Sequence, residues 1–500
     1  MKKIKDLLAD IEKSPEGPET AALFDFDGTI IAGYSATHFM REQIRRGDFS
    51  PKDLMQMFRA INSFGKGNIG FSGMMAVSAQ FVRGIDEDVY WDLGKKLYAK
   101  KIAALIYPET RALIEAHKAK GHTVAIISSA TPYQVKATAD DLGIDHVLCT
   151  QFEVENGKFT GGLVRPTCFG QGKVAAAVQL AAESSSDLDK SFFYSDSTDD
   201  ILLLEHVGYP RALNPNDKLA DIAKERNWPV ARFDSRGRPS VGQFVRSLAA
   251  SSSLLGSVAA GLPIYAFTGS QQKAVNFSLS LFTNSVSAIV GLDLDVKGEE
   301  HLWSHRPAVF VFNHQSKADM MILSSLIRED ITGIAKKEIL KENPLLGKVM
   351  QMAGGVFIDR SDGKSAIEAM KPLVDAMLVD GKSVVIAPEG TRSVSPALGP
   401  FKKGAFHVAM AAGVPIVPIV IRNALDVLPK GASVMRAATV DVTVLPPVDT
   451  SEWSPETIDT HVRHVRNMFA RTLGQKEESE PPVRSRSGST KKNTISHNND

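Results

Sequence analysis

Two carboxylates stand two residues apart in Asp25-Phe26-Asp27-Gly28-Thr29, directly after the apolar run Ala21-Ala22-Leu23-Phe24. Strand side chains alternate between faces, so Asp25 and Asp27 point the same way at the strand's end. Such a pair, followed by a glycine for a sharp turn, suits a Mg²⁺ site and a nucleophile. One carboxylate can attack phosphorus while the other shuttles the proton. Asp293-Leu294-Asp295 has the same spacing but lacks the following Gly-Thr, and carries no such expectation. Three further groups come in the order a phosphoryl-transfer site needs. Ser128 closes the apolar run Thr123-Val124-Ala125-Ile126-Ile127, where its hydroxyl can hold a phosphoryl oxygen. Lys173, in Gly170-Gln171-Gly172-Lys173, can neutralise charge on the phosphoryl group and the nucleophile. Asp196, after Ser191-Phe192-Phe193-Tyr194-Ser195, is placed to ligate Mg²⁺, and Asp200 could ligate it directly or support a ligand from behind.

A second constellation lies in the other half of the chain. Of the 12 histidines, only His314 has an aspartate five residues on, Asp319. The apolar run Pro307–Phe312 leads into Asn313-His314-Gln315-Ser316-Lys317-Ala318-Asp319, and an apolar helix is expected from Met320. A loop histidine can fold back onto a carboxylate at a helix start. The carboxylate then fixes the tautomer and leaves the other ring nitrogen free to take a proton from an alcohol. Asp319 can also cap the helix, and the two roles are compatible. Downstream, Arg360 ends a Gly-flanked strand, Arg392 follows Glu389-Gly390-Thr391, and Lys402 and Lys403 precede a helix. Their guanidinium and ammonium groups suit a phosphate monoester.

The elements that must position these groups are apolar strands alternating with helices, an α/β pattern. Apolar runs precede Asp25, Ser128 and Asp196 in the first half. In the second half they precede His314, Arg360 and Glu389, and Val414–Val420 reads as a further strand broken by two prolines. The stretch between the first two motifs is helical in character. Between Arg246 and Asp293 the only charge is Lys273. Gly261-Leu262-Pro263 is expected to break this segment, giving short hydrophobic helices that enter a membrane interface without necessarily crossing it. A buried helical hairpin is the other reading. No clean run of 18 apolar residues is present, so no spanning helix is expected.

The chain has 500 residues, 43% of them hydrophobic, enough for several ordinary globular units and too many for a disordered or collagen-like protein. Its net charge of +1 argues against a general nucleic-acid partner. Cys149 and Cys168 are too few for a disulfide scaffold and suit a reducing compartment. The start, Met1-Lys2-Lys3-Ile4-Lys5-Asp6, is not followed by the apolar core of a secretory signal. After Leu473 apolar residues almost vanish, and a disordered tail is expected over 474–500. No internal repeat is evident. The resulting division is 1–240, a hydrophobic connector at 245–295, a second unit at 296–473, and the tail.

Taken in order, Asp25, Asp27, Ser128, Lys173 and Asp196, with Asn214-Pro215 after the third strand, resemble the haloacid-dehalogenase-like phosphohydrolases, closest to the phosphoserine-phosphatase-like branch. That resemblance implies a Rossmann-like parallel-sheet core with a helical cap at about 33–110. It also implies an aspartyl-phosphate on Asp25, acid/base work by Asp27, a phosphoryl group held by Ser128 and Lys173, and Mg²⁺ on Asp25, the Asp27 carbonyl and Asp196. Two positions depart from the branch: Ser129-Ala130 stands where it has Gly-Gly, and Ser195-Asp196-Ser197 where it has Gly-Asp-Gly. The substrate expected is a lysophospholipid phosphate, with phosphoserine or a purely regulatory role as alternatives.

The second half resembles the glycerolipid acyltransferases of the 1-acylglycerol-3-phosphate type. The resemblance implies direct acyl transfer from acyl-CoA or acyl carrier protein to lysophosphatidate, with His314 as base and Asp319 orienting it. Arg360, Glu389, Gly390, Thr391 and Arg392 would position the glycerol phosphate, with Lys402 and Lys403 adding charge. It implies a lipid surface as partner too, so the expected location is the cytoplasmic face of a membrane.

Overall fold

The computed structural model describes residues 3–66, 70–237, 239–337, 339–342, 347–348, 350–351, 354–358, 370–429 and 431–479. The expected Arg360 and the tail from residue 480 lie outside the described residues. The chain is α/β, with one large sheet in each half, parallel throughout in the first and mostly parallel in the second.

The first sheet contains β1 (Ala21–Phe24), β2 (Thr123–Ser128), β3 (His146–Cys149), β6 (Phe192–Ser195), β7 (Tyr209–Leu213) and β8 (Val230–Ala231). Their order is β3-β2-β1-β6-β7-β8, with every pairing parallel. Parallel strands in such a layer are buried on both faces and so read as unbroken apolar runs. β1 is buried throughout. Leu23, Ile127 and Phe193 pack on one side of the sheet, and Phe24, Ile126 and Tyr194 on the other. The chain leaves β1 toward β2 on one side and reaches β6 on the other. The ends of these three strands therefore border the crevice where such sheets bind ligands.

Helices Ser35–Arg46, Pro51–Gly65, Phe71–Phe81 and Glu87–Lys100 occupy the expected cap region. A hairpin of β4 (Phe152–Glu155) and β5 (Lys158–Leu163) joins them, an element the sequence did not suggest. Gln80 donates from Nε2 to the Gly161 carbonyl at 2.8 Å, and Lys158 pairs with Asp86 at 2.8 Å.

The hydrophobic connector forms two helices, Val241–Thr268 and Gln271–Val290, packed as a hairpin. Pro263 lies inside the first helix and does not break it, contrary to the sequence expectation. The second helix braces it at Gly261, where a Cβ would come within 3.0 Å of the Ala274 carbonyl. An interior proline removes one backbone hydrogen bond and tends to kink a helix, and packing against the second helix opposes that here. Val241–Thr268 is long and apolar enough to cross a membrane by length and composition alone, which also departs from the expectation of short helices. The second helix grips the helix Asp319–Ile327. Val286 and Val290 cluster with Met321, and Asn276 donates from Nδ2 to Asp330 at 2.9 Å.

The second sheet contains β9 (Leu292–Lys297), β10 (Val309–Phe312), β11 (Ile331–Lys336), β12 (Val356–Ile358), β13 (Ser383–Ile386), β14 (Ile416–Ile421) and β15 (Ala438–Val444). The order is β12-β11-β13-β10-β14-β15-β9, parallel except between β14 and β15. Pro418 sits within an uninterrupted β14, so the strand is not broken there. Asp293 and Asp295 face solvent from the sheet-edge strand β9.

Candidate active sites

In the first site, β1 delivers Asp25 to a buried position between two neighbours. The Asp25 amide donates to the Tyr194 carbonyl at 2.9 Å, which locks the end of β1 to the end of β6. The next turn folds back hard. The Gly28 amide donates to the carbonyls of Ile31 (2.9 Å) and Gly33 (3.1 Å), with Gly28 at φ +81°. A Cβ here would run into the Asp196 carboxylate. Glycine is thus required twice, for its backbone conformation and for the close approach. Asn214 donates from Nδ2 to the Gly28 carbonyl at 3.1 Å and holds the turn from outside.

Lys173 lies on the helix Gln171–Ser184 and is buried. Its Nζ is 2.8 Å from Asp25 and 2.8 Å from Asp200. Burial disfavours the charged amine, but the two carboxylates outweigh it and hold the Lys173 pKa above its ordinary value. Asp200 also accepts a hydrogen bond from the Ser195 hydroxyl at 2.7 Å. Its oxygens are occupied by Lys173 and Ser195, so it braces the lysine. This arrangement matches the supporting place that the sequence left open for Asp200 beside direct ligation.

Asp27 accepts from the Ser35 amide at 2.7 Å and the Ser35 hydroxyl at 3.0 Å. Gln134 donates to that hydroxyl at 3.2 Å. Burial raises the Asp27 pKa to about 7, against the lowering effect of the Ser35 amide. Such a carboxyl can both give and take a proton near neutrality. Ser128 is buried at the end of β2, beside Asp25's strand, and its hydroxyl accepts from the Ala130 amide at 3.2 Å. Ser35, Gln134 and Ser195 were not singled out from the sequence.

Burial raises the pKa of Asp25 and Asp196 as well; the charge of Asp200 adds to the rise at Asp25, and the charges of Asp25 and Asp200 add to the rise at Asp196. Lys173 lowers both, less than burial raises them. Among the described residues no group of three or more His, Cys, Asp or Glu side chains is arranged to hold a metal. Two hard oxygen ligands with a nearby carbonyl are nonetheless the donor set Mg²⁺ takes, with water completing its shell. The residues fit that ion.

In the second site, His314 follows β10 at the centre of the sheet. Its Nδ1 lies 2.8 Å from Oδ2 of Asp319, which is fully buried. The same oxygen accepts the amides of Gln315 (2.8 Å) and Ser316 (2.9 Å). Asp319 is the first residue of its helix and Ala318 the cap, so the carboxylate turns back onto the loop. With Nδ1–H donated to Asp319, the His314 lone pair is on Nε2, and this ring is partly exposed. Ser316 is fully buried and donates from Oγ to the Leu428 carbonyl at 2.6 Å, a loop-shaping role. Asn313 clasps the end of β14, donating to and accepting from Ile421 at 2.7 and 2.8 Å.

Glu389 follows β13, the neighbour of β10. Its Oε1 accepts the His314 amide at 2.8 Å and its Oε2 the Gly399 amide at 3.0 Å. Burial raises its pKa, partly offset by those two amides. Both oxygens are taken by backbone donors, and the charge would repel a phosphate. Glu389 therefore braces the His314 loop. Thr391 is exposed and Arg392 half-buried in the turn that follows. Lys402 reaches this turn, its Nζ 3.0 Å from where a Gly390 Cβ would sit. Lys403 pairs with Asp459 at 2.7 Å.

Residues 22–205 match the family model of the haloacid dehalogenase-like hydrolases, and residues 293–422 that of the acyltransferases. A phosphoserine phosphatase of Mycobacterium tuberculosis is 35% identical over 218 residues, 43% of this chain and 70% of that protein. The 1-acyl-sn-glycerol-3-phosphate acyltransferase beta of Homo sapiens is 37% identical over 192 residues, 38% of this chain and 69% of that enzyme. The match to the 1-acyl-sn-glycerol-3-phosphate acyltransferase of Limnanthes alba, 34% identical over 185 residues, takes in 37% of this chain and 65% of that enzyme, slightly under two thirds of its length. The chain thus belongs to two families at once, the haloacid dehalogenase-like hydrolases through its first half and the acyltransferases through its second.

Proposed function

We propose that this chain is a bifunctional enzyme of phospholipid assembly. Its second half transfers an acyl group from acyl-CoA to lysophosphatidate, and its first half hydrolyses a phosphomonoester. The observation that carries the first activity is the 2.8 Å pairing of His314 Nδ1 with Asp319, which leaves Nε2 as a base. That nitrogen takes the proton of the glycerol hydroxyl as its oxygen bonds to the thioester carbon. The C–S bond then breaks and the sulfur leaves with the proton. Arg392 and Lys402 supply positive charge for the acceptor's phosphate.

In the first half Asp25 attacks phosphorus and forms an aspartyl-phosphate. Asp27 gives its proton to the leaving alcohol and then takes one from the attacking water. Lys173 holds Asp25 in line, and Ser128 steadies the phosphoryl oxygens. Asp25, Asp196 and the Asp27 carbonyl would hold Mg²⁺, which when bound neutralises charge on the phosphoryl group. The shared chain favours a lipid phosphate as substrate. A soluble phosphomonoester such as phosphoserine is the second reading, favoured by the similarity to a phosphoserine phosphatase.

A lipid surface fits the hairpin helices, which expose Phe244, Leu248, Leu255, Leu262 and Phe267. Apolar residues in such number are costly to leave in water. The expected location is the cytoplasmic face of a membrane. The test is full-length protein with lysophosphatidate and acyl-CoA, following acylated lipid and free phosphate together. His314→Ala should abolish only the first and Asp25→Asn only the second. Wild-type protein that makes no acylated lipid would sink the acyltransferase reading. Phosphate released from phosphoserine but from no lipid would sink the lipid-phosphatase reading.

A further inference from the structure

The helix Ile458–Leu473 and the segment after it lie beyond the acyltransferase match, which ends at residue 422. The tail expected from residue 474 is anchored at its start. Gln475 accepts at Oε1 from the Leu398 amide (2.9 Å) and donates from Nε2 to the Pro396 carbonyl (2.9 Å). Nine residues earlier, Arg466 donates from Nε to the Gly399 carbonyl (3.1 Å) and from Nη2 to the Leu398 carbonyl (3.2 Å). Its charge is balanced by Glu478 at 3.1 Å.

The residues so held have no helix or strand of their own. Backbone groups in such a stretch need partners from elsewhere, and here two side chains of the C-terminal segment supply four of them. A planar guanidinium is well shaped to take two successive carbonyls. The far side of the same stretch touches the site. The Gly399 amide donates to Glu389, and Glu389 accepts the His314 amide. Gly399 therefore joins the clamp to the carboxylate through a single peptide on each side. It has no room for a side chain, since a Cβ would lie 2.7 Å from Glu389 Oε2.

We infer that Arg466 and Gln475 are positioning residues for acyl transfer. They fix the 396–399 stretch, which fixes Glu389 and the Gly390–Arg392 turn on the acceptor side of the site. This rests on the acyltransferase reading above. The His314–Asp319 pair is also held by the Gln315 and Ser316 amides, which the clamp does not touch. Loss of the clamp should therefore act on acceptor binding more than on proton transfer.

The experiment is steady-state acyl transfer by the full chain, varying lysophosphatidate and acyl-CoA in turn. Arg466→Ala and Gln475→Ala should each raise KM for lysophosphatidate by about five- to tenfold, the scale of one or two lost hydrogen bonds. KM for acyl-CoA and kcat should stay within about twofold, and Arg466→Lys should recover part of the loss. Unchanged KM in folded variants would overturn the inference, as would parallel decline of every parameter with thermal stability. Should Arg466→Ala fail to fold, Gln475→Ala at its half-buried site decides alone. Hydrogen exchange supplies a readout independent of activity. The Gly399 and His314 amides should exchange faster in the variants, and unaltered exchange overturns the clamp even if the wild type transfers no acyl group.

Discussion

Arg236 donates from Nη2 to Oδ1 of Asp426 at 2.8 Å, and this pair joins the end of the first half to the second sheet's flank. Beside it, Arg436 donates to the carbonyls of Asp234 (2.6 Å) and Gly237 (2.9 Å). Arg236 is largely buried and Asp426 partly exposed, so solvent screens the pair to some degree. Arg236→Ala should cost about 1–3 kcal/mol and let the two halves unfold in separate steps. Calorimetry of wild type and variant checks this. A single unshifted transition in the variant would show that the junction holds without the pair.

Lys173 sits between two buried carboxylates, Asp25 and Asp200. Replacing it with methionine keeps the volume but leaves those charges facing each other. Phosphate release should fall by on the order of 10²-fold or more, since an electrostatic partner of the reacting group is lost. The loss should persist at saturating substrate. Acyl transfer should be unchanged, and measuring both products from one reaction makes the comparison internal.

His117, His122 and Tyr194 form a buried relay. The Tyr194 hydroxyl and His117 Nε2 are 2.8 Å apart, the two histidines' Nδ1 atoms 2.8 Å, and His122 Nε2 and the Pro15 carbonyl 2.8 Å. The bonds close with both rings neutral, each donating one N–H. Burial and the neighbouring ring hold the His117 pKa well below its ordinary 6.5. The folded state therefore binds fewer protons than the unfolded chain below that value. Stability from this group is present above pH 6.5 and is lost as pH falls toward the depressed folded pKa. The raised carboxylates Asp25, Asp27 and Asp196 act in the opposite sense. The relay is isolated by subtraction: His117→Gln should flatten the fall in thermal stability of the first half between pH 6.5 and 5, by up to about 1.4 kcal/mol per pH unit. Parallel wild-type and variant curves would exclude the relay.

Leu262 and Phe267 stand out from the hairpin, with 63% and 91% of their surface exposed. Aspartate at both positions should reduce partitioning onto anionic lipid vesicles, read by co-flotation, by on the order of 10²-fold or more, since each lost apolar side chain removes about 1.5–3 kcal/mol of burial. Folding should be unaffected, because neither side chain packs in a core. Equal flotation of variant and wild type would remove the hairpin from membrane contact.

Asp25, Asp27, Ser128, Lys173 and Asp196 were legible because each ends an apolar strand or opens a helix, and strand periodicity decides where their side chains point. The His314–Asp319 pair was legible because a histidine in the loop after an apolar strand can fold back onto a carboxylate at the start of the next helix. The partners of Asp200 and Glu389 were not legible, because a motif shows which residues are present, not which neighbour takes their charge. Lys173 claims Asp200, and two backbone amides claim Glu389. Pro263 misled because local rules weigh a lone helix, whereas Gly261 is pressed against a second. Arg466 and Gln475 left no local signal, as their partners lie 67 to 79 residues away.

The helix that begins with Asp319 is held at both ends by the hairpin's second helix, through Met321 near its start and Asp330 just past its end. The carboxylate that aligns His314 thus shares a frame with the exposed apolar side chains of the hairpin. Any plane against which the hairpin rests sets the height of the histidine above it, as a gauge sets a tool. The reach of the site is inherited from that mounting, and lengthening or shortening the hairpin would change which depth of a lipid layer the base can address.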